Sequence, residues 1–204
     1  FLVTEAAFPL FTCCLRRFSA ADPRACEHLL HLLGCCALVA ADGGEQAQGN
    51  ELCIAAPAAL EVMQAWPADR AINETALCFL ACCCSPSWGA APGLQAGVSG
   101  MLCAAPAGTT TVLAAMRCYL DSMRVQGHAC SLVAALLACQ QTLALLEQLR
   151  ELDVVSLVLG AMRCQPAAAL IQETGSAALA MACKADARLL ADAAKDGAVE
   201  LVVD

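Results

Sequence analysis

The sequence predicts an all-α protein, a solenoid of about four three-helix repeats with the first degenerate and the last truncated. Three observations carry this. Ala115-Met116-Arg117-Cys118 returns 46 residues later as Ala161-Met162-Arg163-Cys164. Nine residues after each Met stands a β-branched residue followed by Gln, Val125-Gln126 and Ile171-Gln172, with a weaker copy at Met63 and Ile72-Asn73. Hydrophobic residues make up 60% of the 204, yet aromatics only 4%. Much of that content is Ala, the best helix former, while the residues that favour strands are sparse.

The chain divides accordingly. Residues 1–50 form a degenerate or capping repeat, with helices over Ala6–Phe18 and Ala25–Ala41. Asp22 suits the N-cap of the second helix and Pro23 its first position. Asp42-Gly43-Gly44 ends it, and residues 45–50 read as a polar loop. Residues 51–107 hold the next repeat, with helices over Ala58–Ala65 and Arg70–Cys84, the latter capped by Asp69. The Pro and Gly clusters from Ser85 to Gly100 predict an irregular loop insertion on one face, with Trp88 at its tip either as a contact anchor or packing its own loop down. Residues 108–152 carry helices over Thr109–Leu120 and Ser122–Cys139, then Thr142–Glu151. Residues 153–196 carry Val154–Cys164, Ala168–Cys183 and Asp186–Lys195, and 197–204 open a further unit. By this register the next anchor Met falls just beyond Asp204, so the fold is expected to continue past the given sequence. Within the long helix Val125, Ala129, Leu132, Val133 and Leu136 recur at three and four residues and share one face. No single unit buries that stripe alone; stacking does.

Eleven basic against nineteen acidic residues give −8, and the cations are scattered. Nucleic acid is therefore not an expected partner, because that binding draws on clustered Lys and Arg. Apolar runs such as Leu132–Cys139, eight residues long, fall well short of the roughly 18–20 that a spanning helix needs. The sixteen cysteines include adjacent sets such as Cys13-Cys14, Cys35-Cys36 and Cys82-Cys83-Cys84. Such placement reads as core filler in a reducing, cytoplasmic setting rather than as a disulfide framework.

Candidate chemistry is thin. His28, His31 and Cys35, with Cys26 close by, fall on one side of a helix and have zinc-ligand chemistry. No Cys-x-x-Cys pair accompanies them, so packing along a helix face is the reading and no metal is expected. Gly97-Val98-Ser99-Gly100 lacks the last Gly of a nucleophile elbow, and the neighbouring glycines lack a phosphate-loop Lys-Ser/Thr. Asn73-Glu74-Thr75 is formally a glycosylation sequon at the start of a packed helix. His128 has the chemistry of a base, but no nucleophile stands near it at helical spacing, which places it at the surface or an interface. No catalytic residue and no cofactor are predicted.

Ile171-Gln172-Glu173, Gly175 and Ala178-Leu179, followed by Gly197-Ala198-Val199-Glu200-Leu201-Val202, resemble the repeat pattern of the armadillo family, with HEAT repeats as its close neighbour. The resemblance covers about residues 52–204 and is strongest over 109–204. It implies a right-handed superhelix whose third helices line a concave groove for peptides or protein surfaces. Nuclear-import members carry Trp and Asn ladders along those helices. Carried over, the ladder positions are Cys78 and Cys82, Ser131 and Ala135, and Ala177 and Met181, none of which is Trp or Asn. The groove column is then Glu74, Cys78 and Cys82; Gly127, Ser131 and Ala135; Glu173, Ala177 and Met181. It is small, apolar and slightly acidic, and suits an apolar helix or loop. The expectation is a non-enzymatic protein-interaction scaffold or a structural subunit of a larger assembly. The alternative is the regulatory armadillo segment of a larger enzyme, a kinase or ubiquitin ligase, with its catalytic domain elsewhere.

Overall fold

Every regular element among the described residues is a helix. The computed structural model describes residues 7–43, 46–84, 92–104, 106–139 and 142–198, with side chains at 8–38, 52–84, 92–104, 107–139 and 142–198. Eleven α-helices occur among the described residues: α1 (Ala7–Phe18), α2 (Pro23–Gly43), α3 (Gln46–Ala65), α4 (Arg70–Cys84), α5 (Pro92–Ala104), α6 (Pro106–Cys118), α7 (Met123–Cys139), α8 (Leu143–Glu151), α9 (Val154–Cys164), α10 (Ala169–Ala185) and α11 (Ala187–Lys195).

Local chemistry sets most of the boundaries. Asp22 Oδ1 accepts from the Arg24 and Ala25 amides at 3.0 and 3.1 Å, capping α2. Asp69 Oδ1 accepts from Ile72 N at 3.1 Å at the start of α4. Ser122 Oγ, Thr142 Oγ1 and Asp186 Oδ1 do the same for α7, α8 and α11. A side-chain oxygen at this position satisfies an amide that has no partner within its own helix.

Two predicted segments differ. Residues 46–50 belong to α3 rather than to a polar loop, and α3 runs on through Pro57, which forgoes one backbone bond. Of the predicted insertion at 85–100, residues 92–100 lie within α5. Pro92 opens that helix, where a missing N–H costs nothing. Gly97 serves packing rather than a turn: a Cβ there would come within 2.6 Å of Cys53 Sγ on α3. Val98, Ser99 and Leu102 are fully buried. Trp88 lies outside the described residues.

The helices pack in two rows. One runs α1, α3, α6, α9 and the other α2, α4, α7, α10, each helix lying against the next in its row. Leu, Ala, Val and Cys side chains fill the space between as one continuous core.

The turns joining the rows repeat the same wiring. Trp66 Nε1 donates to the Ser19 carbonyl (2.6 Å), Tyr119 Oη to the Pro67 carbonyl (2.8 Å) and Gln165 Nε2 to the Leu120 carbonyl (3.2 Å). Donor and acceptor stand 47, 52 and 45 residues apart, and each donor is the third residue after an anchor Met. The conserved spelling after each Met has its own job. Gln126 Nε2 donates to the Met116 and Tyr119 carbonyls, both at 2.8 Å. Gln172 Nε2 donates to those of Met162 (3.0 Å) and Gln165 (3.2 Å). In the weaker copy Asn73 Nδ2 donates to those of Trp66 (3.0 Å) and Asp69 (2.7 Å). Arg117 and Arg163 reach forward, donating to the Leu152 and Asp196 carbonyls. Those acceptors are the C-caps of α8 and α11, with φ/ψ of −84/3° and −85/6°. The residue after each is left-handed, Asp153 with φ 56° and Gly197 with φ 77°.

Candidate functional site

The column of side chains predicted to line a groove divides three ways. Glu173 and Ala177 on α10 are exposed, while Met181 on the same helix is half-buried. Glu74 and Cys78 on α4 are half-buried. Cys82, Gly127, Ser131 and Ala135 are buried, which removes them from any open surface. Gly127 shows why. A Cβ there would stand 2.7 Å from Leu170 Cδ2, so α10 lies directly over this part of α7. Trp88 again lies outside the described residues.

Glu74 is held from two sides. Arg70 Nε donates to its Oε1 at 2.9 Å and Ser122 Oγ at 2.7 Å. Arg70 also bonds Asp121 at 2.9 Å, so this network bridges α4 to the turn before α7. Burial alone would raise the Glu74 pKa, but the Ser122 and Arg70 hydrogen bonds and the charges of Arg70 and Arg124 together hold it below its ordinary value.

One turn further along α4 is a thiol–imidazole cluster. Cys82, one turn on along the same helix, and His128 of α7 are the groups that act most on the Cys78 thiol. Cys78 is half-buried, whereas Cys82 and His128 are buried. The hydrogen bond from Cys82 lowers the Cys78 pKa most. The bond from His128 and the charges of His128 and Arg124 add to this, against the opposing effect of burial. Cys82 moves the other way, raised first by its bond to Cys78 and then by burial. Cys78 is thus the more acidic thiol of the pair and Cys82 the less acidic one.

The other core thiols contrast with this. Cys84 and Cys130 are pushed up to about 12 by burial, and Cys83 is raised well above its usual value for the same reason. A buried thiol with no cation beside it stays protonated and inert. None of the sixteen cysteines is in a disulfide.

His128 therefore corrects the sequence reading. It is buried on α7 rather than at the surface, and it acts on Cys78 of α4, 50 residues away in the chain, where helical spacing gives no sign of it. His28, His31 and Cys35 are exposed, with His31 Nε2 3.9 Å from Cys35 Sγ, while Cys26 is buried. Among the described residues no group of three or more His, Cys, Asp or Glu is placed to hold a metal ion. Among them, too, no single helix is long and apolar enough to cross a membrane; Pro92–Ala104 and Ala107–Cys118 reach that length only together, across an 88° bend. When the chain is compared with protein-family models, with curated proteins and with solved structures, nothing matches.

Proposed function

We propose that the chain is an armadillo-like α-solenoid that acts as a non-enzymatic interaction scaffold, docking a protein partner on the face of its third helices. One observation carries the reading: equivalent turns donate side-chain hydrogen bonds to the preceding turn's carbonyls at separations of 47, 52 and 45 residues. Nearest-neighbour bonding between equivalent units is the physics of a repeat array. In this reading α1 and α2 stand as the second and third helices of the degenerate first repeat, and α3 and α4 as those of the next. Helices α5–α7 and α8–α10 are full units, and α11 opens another.

The docking face is narrower than the whole column. It comprises Glu173, Ala177 and Met181, with Glu74 and Cys78 at the neighbouring unit. A small, weakly charged strip of this kind suits an apolar helix or loop from the partner. The free thiols, many of them within the core, accord with a reducing compartment.

The test is partner capture by the full chain and by Ala177→Arg, with Leu10→Arg on the exposed side of α1 as control. Loss with Ala177→Arg alone is the expected result. Capture that survives Ala177→Arg and fails with Leu10→Arg would move the docking face elsewhere.

A further inference from the structure

We propose that Cys35 is the thiol through which the chain forms mixed disulfides with low-molecular-weight disulfides such as glutathione disulfide, with His31 as the base that takes its proton. The parts lie on one turn of α2, where residues four apart are neighbours. His31 Nε2 stands 3.9 Å from Cys35 Sγ, a hydrogen bond at the length that the larger sulfur atom allows. Both residues are exposed, and so is the contact between them, so a small disulfide reaches base and nucleophile together from solvent.

That openness follows from the place of α2 in its row of helices. Asp22 caps α2 as Asp69 caps α4, and His31 and Cys35 stand as far beyond their cap as Cys78 and Cys82 stand beyond theirs. Cys82 is buried, whereas Cys35 is exposed. Helix α2 packs on α1, α3 and α4. Its remaining side carries His28, His31, Leu32 and Cys35, all four exposed and at the spacing of one helix face. Four further thiols are exposed, those of Cys13, Cys118, Cys139 and Cys164. Among the described residues none of them has an imidazole nitrogen at hydrogen-bond reach, as Cys35 has.

The step balances. With its proton on Nδ1, the His31 ring has a bare Nε2, which accepts the thiol proton as the sulfur attacks. A new S–S bond forms at Cys35, the S–S bond of the small disulfide breaks, and the departing thiolate takes the proton back from the His31 imidazolium. One thiol is consumed and one is released, so no other oxidant or reductant enters. Cys36 does not resolve the product. It follows Cys35 directly but is buried, and adjacent residues on a helix do not face each other. The mixed disulfide therefore persists until an external thiol removes it.

The experiment incubates the full, reduced chain with glutathione disulfide, quenches with acid, and reads each cysteine by peptide mass spectrometry, with fragmentation separating Cys35 from Cys36. Cys35 should form the mixed disulfide about tenfold faster than Cys13, Cys118, Cys139 and Cys164, a gain below the ~10²–10⁴ of a base held rigidly in an enzyme site. This comparison is made within the unaltered chain and needs no variant. His31→Gln, with its circular dichroism unchanged, should bring Cys35 down to the rate of the other exposed thiols, while His28→Gln, one turn earlier on the same face, should leave it fast. A Cys35 rate no higher than theirs, an undiminished rate in folded His31→Gln, an equal loss in His28→Gln, or an accumulating Cys35–Cys36 disulfide would each overturn the assignment.

Discussion

Gly127 and Leu170 offer the most direct test of how α7 and α10 pack, through a substitution whose effect should reverse sign with its neighbour. In an isolated helix Gly127→Ala would be stabilising by about 1 kcal/mol, because glycine loses more backbone freedom on folding. In this protein the new Cβ would meet Leu170 Cδ2 at 2.7 Å and Cγ at 2.9 Å. Contacts that short force the leucine to move. Leu170 is only half-buried and has somewhere to go, so the overpacking cost sits within the usual range of about 1–3 kcal/mol, near 2. The net expectation for Gly127→Ala is a loss of about 1 kcal/mol. In a Leu170→Ala background the obstruction is gone, and the same change should now stabilise by about 1 kcal/mol. The coupling is then about 2 kcal/mol, well outside the ~0.3–0.5 kcal/mol scatter of additive pairs. Urea unfolding followed by circular dichroism on the four proteins measures it, with a constant slope showing that cooperativity is intact. If Gly127→Ala has the same effect in both backgrounds, α10 does not lie over α7 as described.

Other predictions use the repeated turns. Asp153→Gly should stabilise by about 1 kcal/mol in thermal or urea unfolding, since a left-handed non-glycine residue carries about that strain and the equivalent position is already Gly197. Gln126→Leu should cost about 1–2 kcal/mol by leaving the Met116 carbonyl dry, trimmed by the loss of the buried, unpartnered Gln126 Oε1. Gln172→Leu, with longer bonds at a half-buried site, should shift the melting temperature less. Because the Glu74 pKa is lowered in the folded state, its contribution is present above the unfolded value of about 4.3 and is lost as pH falls through the folded one. Glu74→Gln should therefore remove that portion of the acid-induced loss, seen as a flatter stability profile below about pH 4.5.

Much of the helical skeleton was legible in the sequence because its signals are local. Val154–Cys164 is predicted and observed with the same ends, and Asp22 and Asp69 cap the helices they were expected to cap. The misses are tertiary. Pro92, Gly93, Gly97 and Gly100 have the composition of a loop. Only the approach of Cys53 to Gly97 reveals that a glycine there lets α5 settle against α3. The groove column was misjudged for a related reason. Spacing of four places Gly127, Ser131 and Ala135 on one helix face, but it cannot say which neighbour covers that face, and α10 covers its start. The Cys78–His128 pair lay beyond sequence reasoning altogether, since it joins two helices across 50 residues and neither residue belongs to a motif.

The two Ala-Met-Arg-Cys copies gain a physical reason for their identity, residue by residue. Ala115 and Ala161 are buried, where a larger side chain would overpack the core. Met116 and Met162 offer their carbonyls to Gln126 and Gln172. The side chain of Met162 also fills the space above Gly175, where a Cβ would come within 2.8 Å of its Cγ and Sδ. Arg117 and Arg163 close the C-terminal turns of α8 and α11, satisfying carbonyls that a helix end leaves without partners. Two of the four positions thus make bonds, Met holding its turn to the helix that follows and Arg reaching forward to the end of α8 or α11. Cys118 and Cys164 are exposed, and nothing in the structure explains their recurrence.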